Sequence, residues 1–86
     1  MFPRSVVPPG MTLREFGLRL WGRGEDGALL RQETMTREEL LQLELTPEKA
    51  GMLRDFYARR AALRKGLPAS ERRVKLMEKC MVLLGT

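Results

Sequence analysis

The sequence predicts a mainly α fold, a small helical bundle of three to four helices, and three observations lead there. Capping signals recur: Thr36-Arg37-Glu38-Glu39, Thr46-Pro47-Glu48 and Ser70-Glu71 each set a hydroxyl ahead of a run of helix-forming residues. The apolar residues between those signals return at helical rather than alternating spacing. The stretches separating them are short, which places successive helices side by side and antiparallel. For the first element an N-terminal β-hairpin over residues 16–32 is the alternative.

Taken in order, residues 1–10 carry Pro3, Pro8, Pro9 and Gly10. Proline lacks an amide donor and fixes its own φ, so this stretch is expected as an extended or disordered arm. Residues 11–86 are expected as a single helical domain, since 86 residues fall short of two ordinary domains. Thr12 with Glu15 three positions on forms a capping box, and Leu13, Phe16, Leu20 and Trp21 then share a helical face. Against this, Phe16, Leu18 and Leu20 alternate with Gly17 and Arg19, and Asp26-Gly27 suits a tight hairpin turn.

Beyond residue 33 the punctuation is clear. Thr36 caps a helix reaching Leu45, and Thr46 caps the next, with Pro47 where its missing N–H costs nothing and Glu48 at the positive end of the dipole. That helix is expected to run to Lys65, with Gly66 closing it and Ser70 capping a last helix to Leu84. Leu53, Phe56, Tyr57, Met77 and Met81 are the expected core. The Met77, Met81, Val82 and Leu84 stripe becomes a homodimer interface if one chain cannot cover it.

Apolar residues make up 43% of the chain and charged ones 31%, which excludes a disordered chain. The longest apolar run, Cys80 to Leu84, is far short of a membrane span, and the N-terminal residues lack the apolar stretch of a signal peptide. One cysteine and no histidine leave no internal disulfide, no thiolate metal cluster and no ordinary catalytic base. A reducing, cytoplasmic setting is expected, with no cofactor and no metal. Glu38/Glu39 and Glu25/Asp26 are adjacent pairs that do not converge as catalytic carboxylates do, and Gly22, Gly24 and Gly27 belong to no phosphate-binding loop. The expected protein is not an enzyme.

Charge is the remaining signal. The net charge of +5 is divided into −1 over residues 1–45 and +6 over residues 46–86. Seven cations, Arg59, Arg60, Arg64, Lys65, Arg72, Arg73 and Lys75, lie within 17 positions that hold one acid. An antiparallel helix pair with its turn near 66–69 gathers them at one corner, where nucleic acid or an acidic protein surface would bind. No amide or aromatic reader is adjacent in sequence, so little base preference is expected. A helix-turn-helix over residues 36–65 is disfavoured by the acidic opening of its second helix at Glu48. The expected function is therefore a small accessory protein binding nucleic acid through the 59–75 corner. The alternative is a protein–protein adaptor, chaperone or inhibitor of phage or mobile-element type, docking through an exposed Met/Leu stripe or through the hairpin region.

Overall fold

Every capping hydroxyl but one is placed where the sequence puts it. The computed structural model describes residues 2–63 and 68–85, with the backbone alone at Glu25 and Pro68. A 3-10 turn at Arg4–Val6 precedes α1 (Leu13–Leu20), α2 (Gly24–Thr34), α3 (Arg37–Gln42), α4 (Pro47–Leu63) and α5 (Pro68–Gly85). The Oγ1 atoms of Thr12, Thr36 and Thr46 accept the N–H groups of Glu15, Glu39 and Lys49 at 3.1, 3.3 and 3.2 Å. Ser70 is the exception. Pro68 opens α5, as Pro47 opens α4, because its fixed φ suits the first helical position and no donor is needed there. Ser70 therefore lies inside the first turn of α5 and is buried. The expected closing residues Arg64, Lys65 and Gly66 lie outside the described residues.

Residues 16–32 are two helices and not a hairpin, and there is no strand among the described residues. Phe16, Gly17 and Leu20 are buried on one face of α1 while Leu18 is exposed, so the period-2 reading fails at its middle member. Asp26-Gly27 is no turn. The positive φ angles are at Gly22 (73°) and Gly24 (66°), between α1 and α2. Gly27 instead lets the first turn of α2 pack tightly on the turn that precedes it: a Cβ there would lie 2.7 Å from the Trp21 carbonyl oxygen and 2.9 Å from the Gly22 carbonyl carbon.

The end of α3 accounts for the join to α4. The Leu45 N–H reaches the Leu40 carbonyl at 3.0 Å and the Glu44 N–H reaches Leu41 at 3.0 Å, the paired bonds of a Schellman motif. Glu44 holds the left-handed position at φ 54° without being glycine. Its carbonyl accepts the Lys49 ammonium at 3.1 Å, and the flanking Leu40 and Leu45 are buried.

Helix α5 is the hub, packing on α4, α2 and α3. Gly51 early in α4 lies near Met81 late in α5, while Ala58 and Ala61 share a groove with Glu71, Val74, Lys75 and Glu78, so α4 and α5 are antiparallel. Asp26 pairs with Arg72, and Lys79 donates to the Gln32 carbonyl, so α2 and α5 run parallel. Leu76, Met77 and Cys80 on α5 meet Leu53 and Ala50 of α4, Leu40 of α3, Ala28 of α2 and Phe16 and Leu20 of α1 in one core. Of the expected core, Leu53, Tyr57 and Met77 are buried; Phe56 and Met81 are half-buried.

The stretch expected as an extended or disordered arm lies against the helices. Val6 is fully buried in the core, Val7 and Met11 pack on it, and Phe2 meets the rings of Trp21 and Phe56. Four apolar side chains in an 11-residue stretch supply enough buried surface to order it, despite its prolines.

Candidate functional site

The end of the bundle where α4 finishes and α5 starts is built on aromatic rings. The five aromatic residues of the chain form one connected cluster: Phe2 meets Trp21 and Phe56 at centroid distances of 6.0 and 5.3 Å, Trp21 meets Phe16 and Tyr57 at 6.2 and 5.6 Å, and Phe56 meets Tyr57 at 5.1 Å. All five contacts are edge-to-face, the arrangement that sets the positive rim of one ring against the negative face of the next. Phe16 and Tyr57 are buried within the cluster, whereas Phe2, Trp21 and Phe56 are partly exposed.

Two arginines sit on these rings. The Arg73 guanidinium lies 5.1 Å from the Trp21 ring and 5.4 Å from the Tyr57 ring, and Arg60 lies 5.6 Å from the Phe56 ring. A cation against a ring face gains about 0.5–2 kcal/mol, more as water is excluded. The Arg73 Nε is buried without a hydrogen-bond partner among the described residues, so the rings are what hold that part of the side chain. Burial pushes the Tyr57 hydroxyl above its ordinary pKa, while the charge of Arg73, its hydrogen bond to that hydroxyl and the charge of Arg60 act in the opposite direction.

The seven expected cations do not form a single patch. Arg59 and Arg60 are exposed on the last turns of α4, and Arg60 is angled onto Phe56. Arg72 turns to α2 and pairs with Asp26 at 2.9 Å. Arg73 turns inward to the rings. Lys75 is exposed on the other flank of α4, beside the groove containing Ala58, Ala61, Glu71 and Glu78. Helical geometry separates Arg73 from the other two: it lies about 100° from Arg72 and about 160° from Lys75 around α5, while Arg72 and Lys75 are about 60° apart. Arg64 and Lys65 lie outside the described residues.

Arg60 and Arg73 are what the fold brings onto the aromatic cluster, while Arg72 pairs with α2 and Arg59 is exposed late in α4. Phe2, Trp21, Phe56 and Tyr57 are the neighbours that sequence reasoning missed. In the sequence Phe2 falls in the expected arm, Phe56 and Tyr57 in the expected core, and Trp21 on the face of the first helix or beside the alternative hairpin, and no local period connects positions 2, 21 and 56. The signal available was composition: few aromatic residues, two of them adjacent and four residues or fewer from Arg59 and Arg60.

Of the residues expected at a homodimer interface, Met77 is fully buried inside the chain, Met81 and Leu84 are partly buried against the core, and Val82 is 66% exposed. The expected Met/Leu docking stripe is thus largely covered by the chain's own helices. Cys80 is buried, and desolvation pushes its thiol up to about 12 although Lys79 and Arg31 lie near enough to lower it; it is a protonated, inert packing group at neutral pH. Among the described residues, no group of three His, Cys, Asp or Glu is placed to hold a metal ion, and no helix is long and apolar enough to cross a membrane. No known protein family matches the chain, and no curated protein or solved structure does so either.

Proposed function

We propose that this chain is a non-enzymatic accessory protein that binds nucleic acid at the end of the bundle where α4 finishes and α5 starts. Arg59 and Arg60 are the first contacts in this reading, with Arg72 and Arg73 behind them and Arg64 and Lys65 in the linking sequence. What supports it is the +6 carried by residues 46–86, with Arg59 and Arg60 exposed on the last turns of α4. Phosphates neutralised there release counterions, so log affinity falls with log salt in proportion to the contacts made.

Titration of fluorescent oligonucleotides at low and moderate salt tests this. Arg59→Glu with Arg60→Glu should reduce affinity at least tenfold and flatten the salt slope by about two contacts. Absence of binding at micromolar protein in low salt would refute the reading. The competing reading, a protein–protein adaptor, is favoured by a different feature: Leu29 and Leu30 on α2 are 45% and 61% exposed beside Gly22 and Gly27. In that reading the docking face is α2, in the region first considered a hairpin, and not the C-terminal stripe.

A further inference from the structure

We infer that the nucleic acid taken by this end is single-stranded, DNA or RNA, with bases stacking on the partly exposed Phe2, Trp21 and Phe56 while phosphates pair with Arg59 and Arg60. This rests on the nucleic-acid reading above and narrows it to a substrate class. Stacking requires an accessible π-face on the protein and an unpaired base on the ligand; duplex DNA keeps its base faces inside and offers phosphates and groove edges.

Three features favour the single strand. The five aromatic residues form one connected cluster that reaches from the buried Phe16 and Tyr57 to the surface, and the three rings that are not fully buried are linked through Phe2. A cation stands at the cluster itself, Arg60 at 5.6 Å from the centre of the partly exposed Phe56 ring, within reach of the phosphate of a base held there. The partly exposed rings come from the N-terminal segment, the end of α1 and the middle of α4, whereas duplex readout in the major groove needs a single helix or ribbon laid along the groove. The helix best placed by connectivity for that role, α4, opens with Pro47 and Glu48, both exposed and neither a base reader.

The chain carries its own reporter, since Trp21 is its single tryptophan and belongs to the cluster. The experiment measures Trp21 emission and binding of oligo(dT), oligo(rU) and a mixed-sequence duplex of equal length to the full chain at one salt concentration. Single strands are expected to bind about tenfold more tightly than duplex and to quench Trp21, as one stacked base contributes on that scale. Phe56→Leu, with its thermal melt recorded to confirm folding, should abolish that preference, and Phe56→Tyr should preserve it. The relative response to oligo(dT) and oligo(rU) separates the two sugars. Equal affinity for duplex and single strands, or an undiminished preference in folded Phe56→Leu, overturns the single-strand inference and leaves phosphate binding standing. Failure of every strand to bind removes both. Were Phe56→Leu not to fold, the wild-type preference and the quenching would still decide the question.

Discussion

Alkaline pH should destabilise this protein through one buried thiol, and the size of the effect follows from its surroundings. Cys80 is completely buried on the central helix α5, and its pKa is pushed from an ordinary 9.0 to about 12. The folded state therefore keeps the proton at pH values where the unfolded chain releases it. Below pH 9 the contribution of the group to stability is constant. As pH rises from 9 towards 12 the unfolded state binds fewer protons than the folded one, and stability falls. Over the full window the loss is about 4 kcal/mol, and by about pH 10.5 it is about 2 kcal/mol, a large share of the stability of a small domain. Tyr57, whose pKa is raised from 10.0, adds in the same direction but starts a unit higher. Urea unfolding at a series of pH values from 8 to 10.5 measures the slope, and Cys80→Ala isolates the thiol. The variant should be less stable at pH 8, having lost packing, yet should lose less stability per pH unit than the wild type between 9 and 10. Parallel wild-type and Cys80→Ala curves across that interval would refute the assignment.

Substitutions at Gly27, Thr46 and Ser70 examine the turn into α2 and the helix boundaries. Gly27→Ala should destabilise by about 1–3 kcal/mol despite the better helix propensity of alanine, because the added Cβ meets backbone atoms at 2.7 and 2.9 Å; a midpoint in urea at or above wild type would show that α2 does not pack so closely on the Trp21–Gly22 turn. Thr46 and Ser70 should respond in opposite order. At the Thr46 cap, Ala should cost about 1 kcal/mol and Gly less, whereas inside the first turn of α5, Ser70→Gly should be worse than Ser70→Ala by up to about 1 kcal/mol; the same ranking at both positions would place α5's start at Ser70.

The division between local and long-range information runs through particular residues. Thr12, Thr36 and Thr46 were legible as caps because capping is settled within four residues, by a hydroxyl and the N–H three positions on. The helical class followed from the same short-range signals and from the 3.6-residue spacing of Leu53 and Tyr57 or Met77 and Cys80, which are buried together. Ser70 was misread because two local rules, a serine cap and a proline at the first helical position, competed two residues apart. The glycines at 22, 24 and 27 carry turn chemistry for either a hairpin or a helical corner, and what only the tertiary structure records is the packing of α2 along α5.

For the candidate site, sequence alone determined the amount of positive charge and its concentration after residue 46, since these are sums over residue types. Which cations remain available was decided by tertiary structure. The rotation of α5 sends Arg72 to Asp26, Arg73 to Trp21 and Tyr57, and Lys75 to the far flank of α4, and the buried Val6 brings Phe2 back across the fold to Phe56. Each of these depends on the partner that a side chain meets after the helices pack, and a one-residue step around a helix changes that partner by about 100°.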